Sequence, residues 1–149
     1  MTKQRIQILV ISFCLLGTIY FTILSYQVSR EAEPPVMHTE SLNQVIGRLA
    51  GNKAVDCGRV PVQGNRDVVD GCSVAMFKAG KPFYARYDFK GIDSRIAKIL
   101  LRTPQGKMYL LHYDSDPSGG SGVGEAVGED RCLNPQIVNF AGQQRVECK

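Results

Sequence analysis

The sequence predicts an α+β fold: an N-terminal transmembrane helix, then two helices packed on one face of an antiparallel four- or five-stranded meander, with two disulfides. Three observations lead there. Apolar residues recur at helical spacing between Ser41 and Gly80, and at a period of two from Pro82 to Ser115. Four cysteines follow a long apolar run that carries no charge.

Ile6 to Tyr26 holds no charged side chain over 21 residues. As a helix, such a run rises roughly 31 Å, enough to cross a hydrocarbon core. Lys3 and Arg5 precede it and Glu31 and Glu33 follow, so the N-terminus is expected in the cytoplasm and the C-terminal part across the membrane. Tyr26-Gln27-Val28-Ser29-Arg30 offers no small-x-small cleavage site, which favours an uncleaved anchor; secretion after signal cleavage is the alternative. Ile11-Ser12-Phe13-Cys14 resembles a lipidation site, but Phe13 is too large before a modified cysteine, and Cys14 reads as a free thiol within the span. Pro34-Pro35 ends any helix and stiffens a short spacer. The expected organisation is a cytoplasmic tip and anchor over 1–29, a Pro-rich linker over 30–38 and an extracytoplasmic domain over 39–149.

The capping box Ser41-Leu42-Asn43-Gln44 opens the first helix, Leu42, Val45, Ile46 and Leu49 form its apolar stripe, and Gly51 closes it. Asn65 caps a second helix, with Val68, Val69, Cys72, Ala75, Met76 and Ala79 as the expected inward stripe and Gly80 at its end. Phe83, Ala85, Tyr87 and Phe89 then alternate with Tyr84, Arg86, Asp88 and Lys90, a strand with one wet face. Strands Arg95 to Thr103 and Lys107 to Ser115 flank Pro104-Gln105-Gly106, a type I turn with glycine in the left-handed position. That turn sets Thr103 against Lys107. Ala97, Ile99 and Leu101 then oppose Tyr113, Leu111 and Tyr109 on an apolar face, and Lys98 opposes His112 on the wetter one. The glycine-rich stretch Asp116 to Gly128 reads as a loop, and Gln136 to Phe140 with Gln144 to Cys148 as a hairpin around Ala141-Gly142.

Cys57, Cys72, Cys132 and Cys148 allow three pairings. The local one, Cys57–Cys72 and Cys132–Cys148, is favoured because each pair flanks a compact element. No C-x-x-C is present and no histidine lies near these cysteines, which removes zinc and thioredoxin-like chemistry.

Length and composition bound the function. A chain of 149 residues, 44% hydrophobic and 21% charged, fits one ordinary folded domain. All 14 acidic residues, and all the basic ones except Lys3 and Arg5, lie from Arg30 onward, so the domain is nearly balanced and nucleic acid is not an expected partner. Arg86, Lys90, Arg95, Lys98, Arg102 and Lys107 read as solvated strand residues, with a protein or an anionic envelope component as the expected partner class.

Asp114-Ser115-Asp116-Pro117-Ser118-Gly119-Gly120, with Glu125 beyond, resembles an EF-hand calcium loop: Asp114, Asp116, Ser118, Gly120 and Glu125 fall at its positions 1, 3, 5, 7 and 12. What this resemblance implies is weak calcium binding; the competing reading is a plain Gly/Ser/Asp surface loop. His112 with Asp114, two residues on along the same face, is the one general-base candidate. No G-x-S-x-G, H-E-x-x-H or phosphate loop accompanies it, so catalysis is not the leading expectation. An apolar N-terminal segment, a sheet and a C-terminal cysteine loop resemble the architecture of type IV pilins, although Ile6 to Tyr26 lacks an acidic residue and Pro34-Pro35 interrupts any long spine. The leading expectation is a membrane-anchored extracytoplasmic binding module. The alternatives are a small exported enzyme using His112 and an envelope assembly component.

Overall fold

The computed structural model describes residues 36–38, 40–120 and 124–149; Ile6 to Tyr26 and Cys14 lie outside the described residues. Among the described residues no helix is long and apolar enough to cross a membrane. The elements run β1 (Val36–His38), α1 (Leu42–Ala50), β2 (Val55–Val60), α2 (Asp67–Lys78), β3 (Phe83–Lys90), β4 (Arg95–Arg102), β5 (Met108–Asp114), β6 (Ala126–Cys132), β7 (Pro135–Phe140) and β8 (Gln143–Cys148). A six-stranded sheet has the order β1-β6-β5-β4-β3-β2, and β7 and β8 form a separate two-stranded sheet.

The β4–β5 hairpin follows the register read from its turn: Ala97 faces Tyr113, Ile99 faces Leu111 and Lys98 faces His112. Gly106 sits at φ 81°, where a side chain would be strained. The amide of Ser41 donates to Gln44 Oε1 at 2.9 Å, tying down the first turn of α1. At the other end of α1, Gly51 adopts φ 73°. Asn65 Oδ1 accepts from the amide of Asp67 at 2.8 Å, but from one residue ahead of the expected cap position, because Arg66 is the N-cap of α2.

The sheet departs from the expected antiparallel meander in three ways. First, β2 pairs parallel to β3. Its register slips between Asp56 and Arg59, where Cys57 and Gly58 occupy a bulge. The bulge turns Cys57 and Val60 to the same buried side, which breaks the alternation that would have revealed a strand. Second, Ala126 to Gly128, expected in a loop, begins β6, which pairs with β5 along its whole length. Neighbours on both sides hold this glycine-containing strand, and Val127 is fully buried. Third, β1 lies within the expected linker and pairs antiparallel with β6, so Pro35–Lys149 forms the compact unit.

The two helices do not share a face. Leu42, Val45 and Ala50 of α1 pack with Ala97, Ile99, Leu101, Leu111, Tyr113 and Val127. Val69 and Val74 of α2 pack on the opposite side with Phe83, Ala85, Leu100 and Met108, joined there by Val146 of β8. Alternate residues of one strand point to opposite faces, so Ile99 and Leu100 enter different cores. The inward stripe of α2 is also rotated from the expected one. Val68 is 82% exposed, while Asp70 and Ser73 are buried. An aspartate can take this inside position because it is fully partnered there, as described below.

The structure forms Cys57–Cys72 and Cys132–Cys148, with Cα atoms 5.5 and 5.3 Å apart. The first ties α2 to the β2 bulge, and the second ties the end of β8 to the end of β6. Both therefore hold the layer that covers the α2 side of the sheet; α1 has no such link.

Two stability outcomes follow. Replacing Cys57 and Cys72 together by Ala opens a loop of sequence separation 15. Non-reducing urea unfolding should show a loss of about 3 kcal/mol. Ala141 occupies φ 51° ahead of Gly142 at φ 84° in the β7–β8 turn. That two-residue turn favours Asn-Gly, so Ala141→Asn should raise stability by up to about 1 kcal/mol in the same measurement.

Candidate functional site

The α2 side of the sheet is only partly covered. Its side chains form cross-strand rows. Phe83, Arg102, Met108 and Cys132 make the first, and Ala85, Leu100, Leu110 and Asp130 the second. Tyr87, Lys98, His112 and Gly128 follow, and then Phe89, Ile96, Asp114 and Ala126. The first rows lie under α2 and the β7–β8 hairpin, with Phe83 fully buried. The last two rows are open: Lys98 is exposed and Phe89 retains 43% of its surface.

Two concavities sit on this open region. The first, about 410 Å³, has the sheet as its floor at Tyr87, Phe89, Lys98 and Leu110, with Arg66 from the start of α2 on one wall and Arg145 and Glu147 of β8 on another. Its polar side chains are braced. Arg66 lies 4.6 Å above the centre of the Tyr87 ring and its Nε is 3.3 Å from Asp70 Oδ2. Tyr87 Oη donates to Asp70 Oδ1 at 2.6 Å. Asp70 is thus buried with a partner on each oxygen, which is what makes a polar group tolerable in a core. Arg145 stacks 4.3 Å over Phe140 and pairs with Glu147. Lys98 Nζ stands 6.0 Å over the Phe89 ring.

The second concavity, about 460 Å³, is lined by His112, Asp114, Asp130, Ile96 and Gly128, among others. His112 lies opposite Lys98 on the wetter face, as read from the sequence. Its Nε2 is 3.0 Å from Asp130 Oδ2, a carboxylate on β6 that sequence spacing gave no reason to select. Asp130 sits diagonally across from His112, and the residue directly opposite is Gly128, which puts no side chain between them. Asp114 lines the same concavity, and its Oδ1 accepts the amide of Asp116 at 3.0 Å. A histidine held by a carboxylate can take a proton from a bound group. Among the described residues no Ser, Thr or Cys lines this concavity.

The residues of the calcium-like pattern are not brought together. Asp114 faces the α2 side, whereas Glu125 lies with Tyr113 beside Leu42 and Asn43 of α1. Asp116 Oδ2 accepts from Gly120 N–H at 2.6 Å, a turn-closing role, and Ser118 is exposed. Among the described residues no group of three or more His, Cys, Asp or Glu converges as a metal site.

The basic residues noted in the strands are divided between the faces. Arg86 donates to Asp88 on the α1 side, where Arg59 also pairs with Asp88. Arg102 is committed to the carbonyl of Phe77 at 3.0 Å. Lys98 alone of that set lines a concavity on the open face; Arg66 and Arg145 join it through tertiary packing. The readable trace of Arg66 was its i,i+4 spacing to Asp70 on the helix.

Comparison with protein-family models, curated proteins and solved structures finds no match to this chain.

Burial, followed by the hydrogen bond to Asp70 and its charge, raises the Tyr87 pKa far above its ordinary value of 10.0. Above pH 10 the folded state keeps a proton that the unfolded state has lost. The stabilisation is therefore complete below about pH 10 and declines as pH rises above it. Tyr84 and Tyr113 are also raised, mainly by burial, and act in the same direction. Urea unfolding from pH 8 to 11.5 should show stability falling above about pH 10, with a shallower fall in Tyr87→Phe. At pH 7, Tyr87→Phe leaves one Asp70 oxygen unpaired, and a cost of about 1–3 kcal/mol is expected.

Proposed function

We propose that this protein is a membrane-anchored binding module of the cell envelope. Ile6 to Tyr26 serves as the anchor, the N-terminus is cytoplasmic, and the α2-side open face is presented outside. The observation that carries this reading is the pair of disulfides, which hold the two pieces walling that face. Cross-links of this kind persist in oxidising compartments. An uncharged run of 21 residues behind Lys3 and Arg5 supplies a route across the membrane.

Binding is favoured over catalysis by the character of the face. It offers an exposed aromatic ring, braced cations and two shallow concavities, and among the described residues no nucleophile lines the one beside His112. Surfaces that join rigid aromatics to charged side chains serve recognition well, because little side-chain freedom is lost on contact.

Two measurements test the proposal. A reporter fused after Lys149 should be active only outside the cytoplasm, and Cys57, Cys72, Cys132 and Cys148 should resist alkylation in natively purified protein. A photo-crosslinking residue at Phe89 should give a discrete envelope adduct in cells, while one at exposed Lys53 should not. A cytoplasmic reporter signal, or equal adducts from both positions, would overturn the reading.

A further inference from the structure

We propose that the groove between α2 and the β7–β8 hairpin binds an acidic glycan, with Lys98, Arg66 and Arg145 meeting its carboxylate groups and Phe89 meeting a sugar-ring face. This rests on the binding-module reading and names its ligand class. Three cations from three separate elements line the groove, against one lining acid, Glu147, which is paired with Arg145. Asp70 lies behind Arg66, bonded to it and to Tyr87. The groove therefore carries an excess of positive charge in a domain whose charges nearly balance.

Lys98 is the centre of the site. Its cross-strand neighbours on the same face are Tyr87 and His112, and among the described residues no carboxylate pairs with it. An ammonium group at the floor of a groove, with no ion-pair partner among the described residues, meets an incoming anion without first breaking an ion pair. Arg66 and Arg145 are held over Tyr87 and Phe140, so their guanidinium forks are placed before a ligand arrives.

The shape selects among anions. A cavity of about 410 Å³ accommodates one or two sugar units. The exposed ring of Phe89 beside Lys98 offers an apolar platform that inorganic phosphate cannot use. The floor lies between Arg66, just ahead of α2, and β8, a recess that a flexible chain can enter. Asp114 and Asp130, in the neighbouring concavity, oppose extension of an anionic chain past His112 and limit the footprint to the basic groove.

Calorimetry on the full-length chain in a nonionic detergent tests this. The probes are a trimer of galacturonic acid, neutral maltotriose, inorganic phosphate and phosphatidylglycerol vesicles. The acidic trimer should bind, more weakly as salt rises, and maltotriose and phosphate should not compete with it. Lys98→Glu should weaken the trimer by about tenfold or more, and Lys98→Gln by less. Lys53→Glu, an equal change of charge at an exposed site elsewhere, should leave binding unchanged. Unchanged circular dichroism of Lys98→Gln shows that its effect is local. No binding of the trimer, equal binding of Lys98→Glu, displacement by phosphate, or preference for the vesicles would each overturn the proposal. Should the trimer fail while the Phe89 crosslink and the external reporter hold, the ligand class falls and the anchored binding module stands.

Discussion

A sheet has two faces, and among the described residues two short helices and one hairpin cover both. That shortage governs the rest of the structure. α1 closes one side around Ile99, Leu101 and Leu111 by apolar burial, with an ion pair from Arg48 to Glu129 of β6. On the other side α2 and the β7–β8 hairpin each cover part of the sheet, and each is fastened by a cystine. Neither piece is large. A two-stranded unit such as β7–β8 is marginal by itself, and its covalent tie at Cys148 offsets what its small core cannot supply. What remains uncovered, between and beyond these two pieces, is the open face.

The same shortage explains how the polar groups are arranged. The partly covered face exposes Phe89 and Lys98, and at its border the fold must bury polar atoms where core meets solvent. Asp70 does so by taking Tyr87 and Arg66 as partners, and Asp88 does so on the other side with Arg59 and Arg86. Each is an acid with two donors, the arrangement that removes the penalty of burial. The Asp70 cluster also orients Arg66 along the groove wall, so a stability device and a surface feature share the same atoms.

Much of this was legible in the sequence because it is set locally. The Pro104-Gln105-Gly106 turn and the alternation on either side fixed the register of β4 and β5, and with it the facing of Lys98 and His112. Cysteine spacing indicated both disulfides. What escaped was set by tertiary structure. The bulge at Cys57–Gly58 hid β2, and its parallel pairing has no local signature. β6 is specified by its neighbours more than by its own composition. The inward turn of Asp70 depends on Tyr87, seventeen residues away. Tyr113 and Asp114 are consecutive in a strand, so Glu125, which lies by the first, is apart from the second, a separation that sequence spacing does not show. Arg66 and Arg145 meet in one groove only because α2 and β8 cover the same face.

β1 carries a mechanical consequence. β1 opens the described part of the domain, and among the described residues three pairs of ladder join it to β6. Tension applied through the preceding segment loads that short ladder first, ahead of elements secured by covalent sulfur. Detaching it would free the outer edge of β6 at Val127 to Glu129, the stretch flanked by Ala126 and Asp130, without loosening the cystine-locked layer. Pulling would thus bare a new strand edge beside His112 while the cationic groove kept its shape.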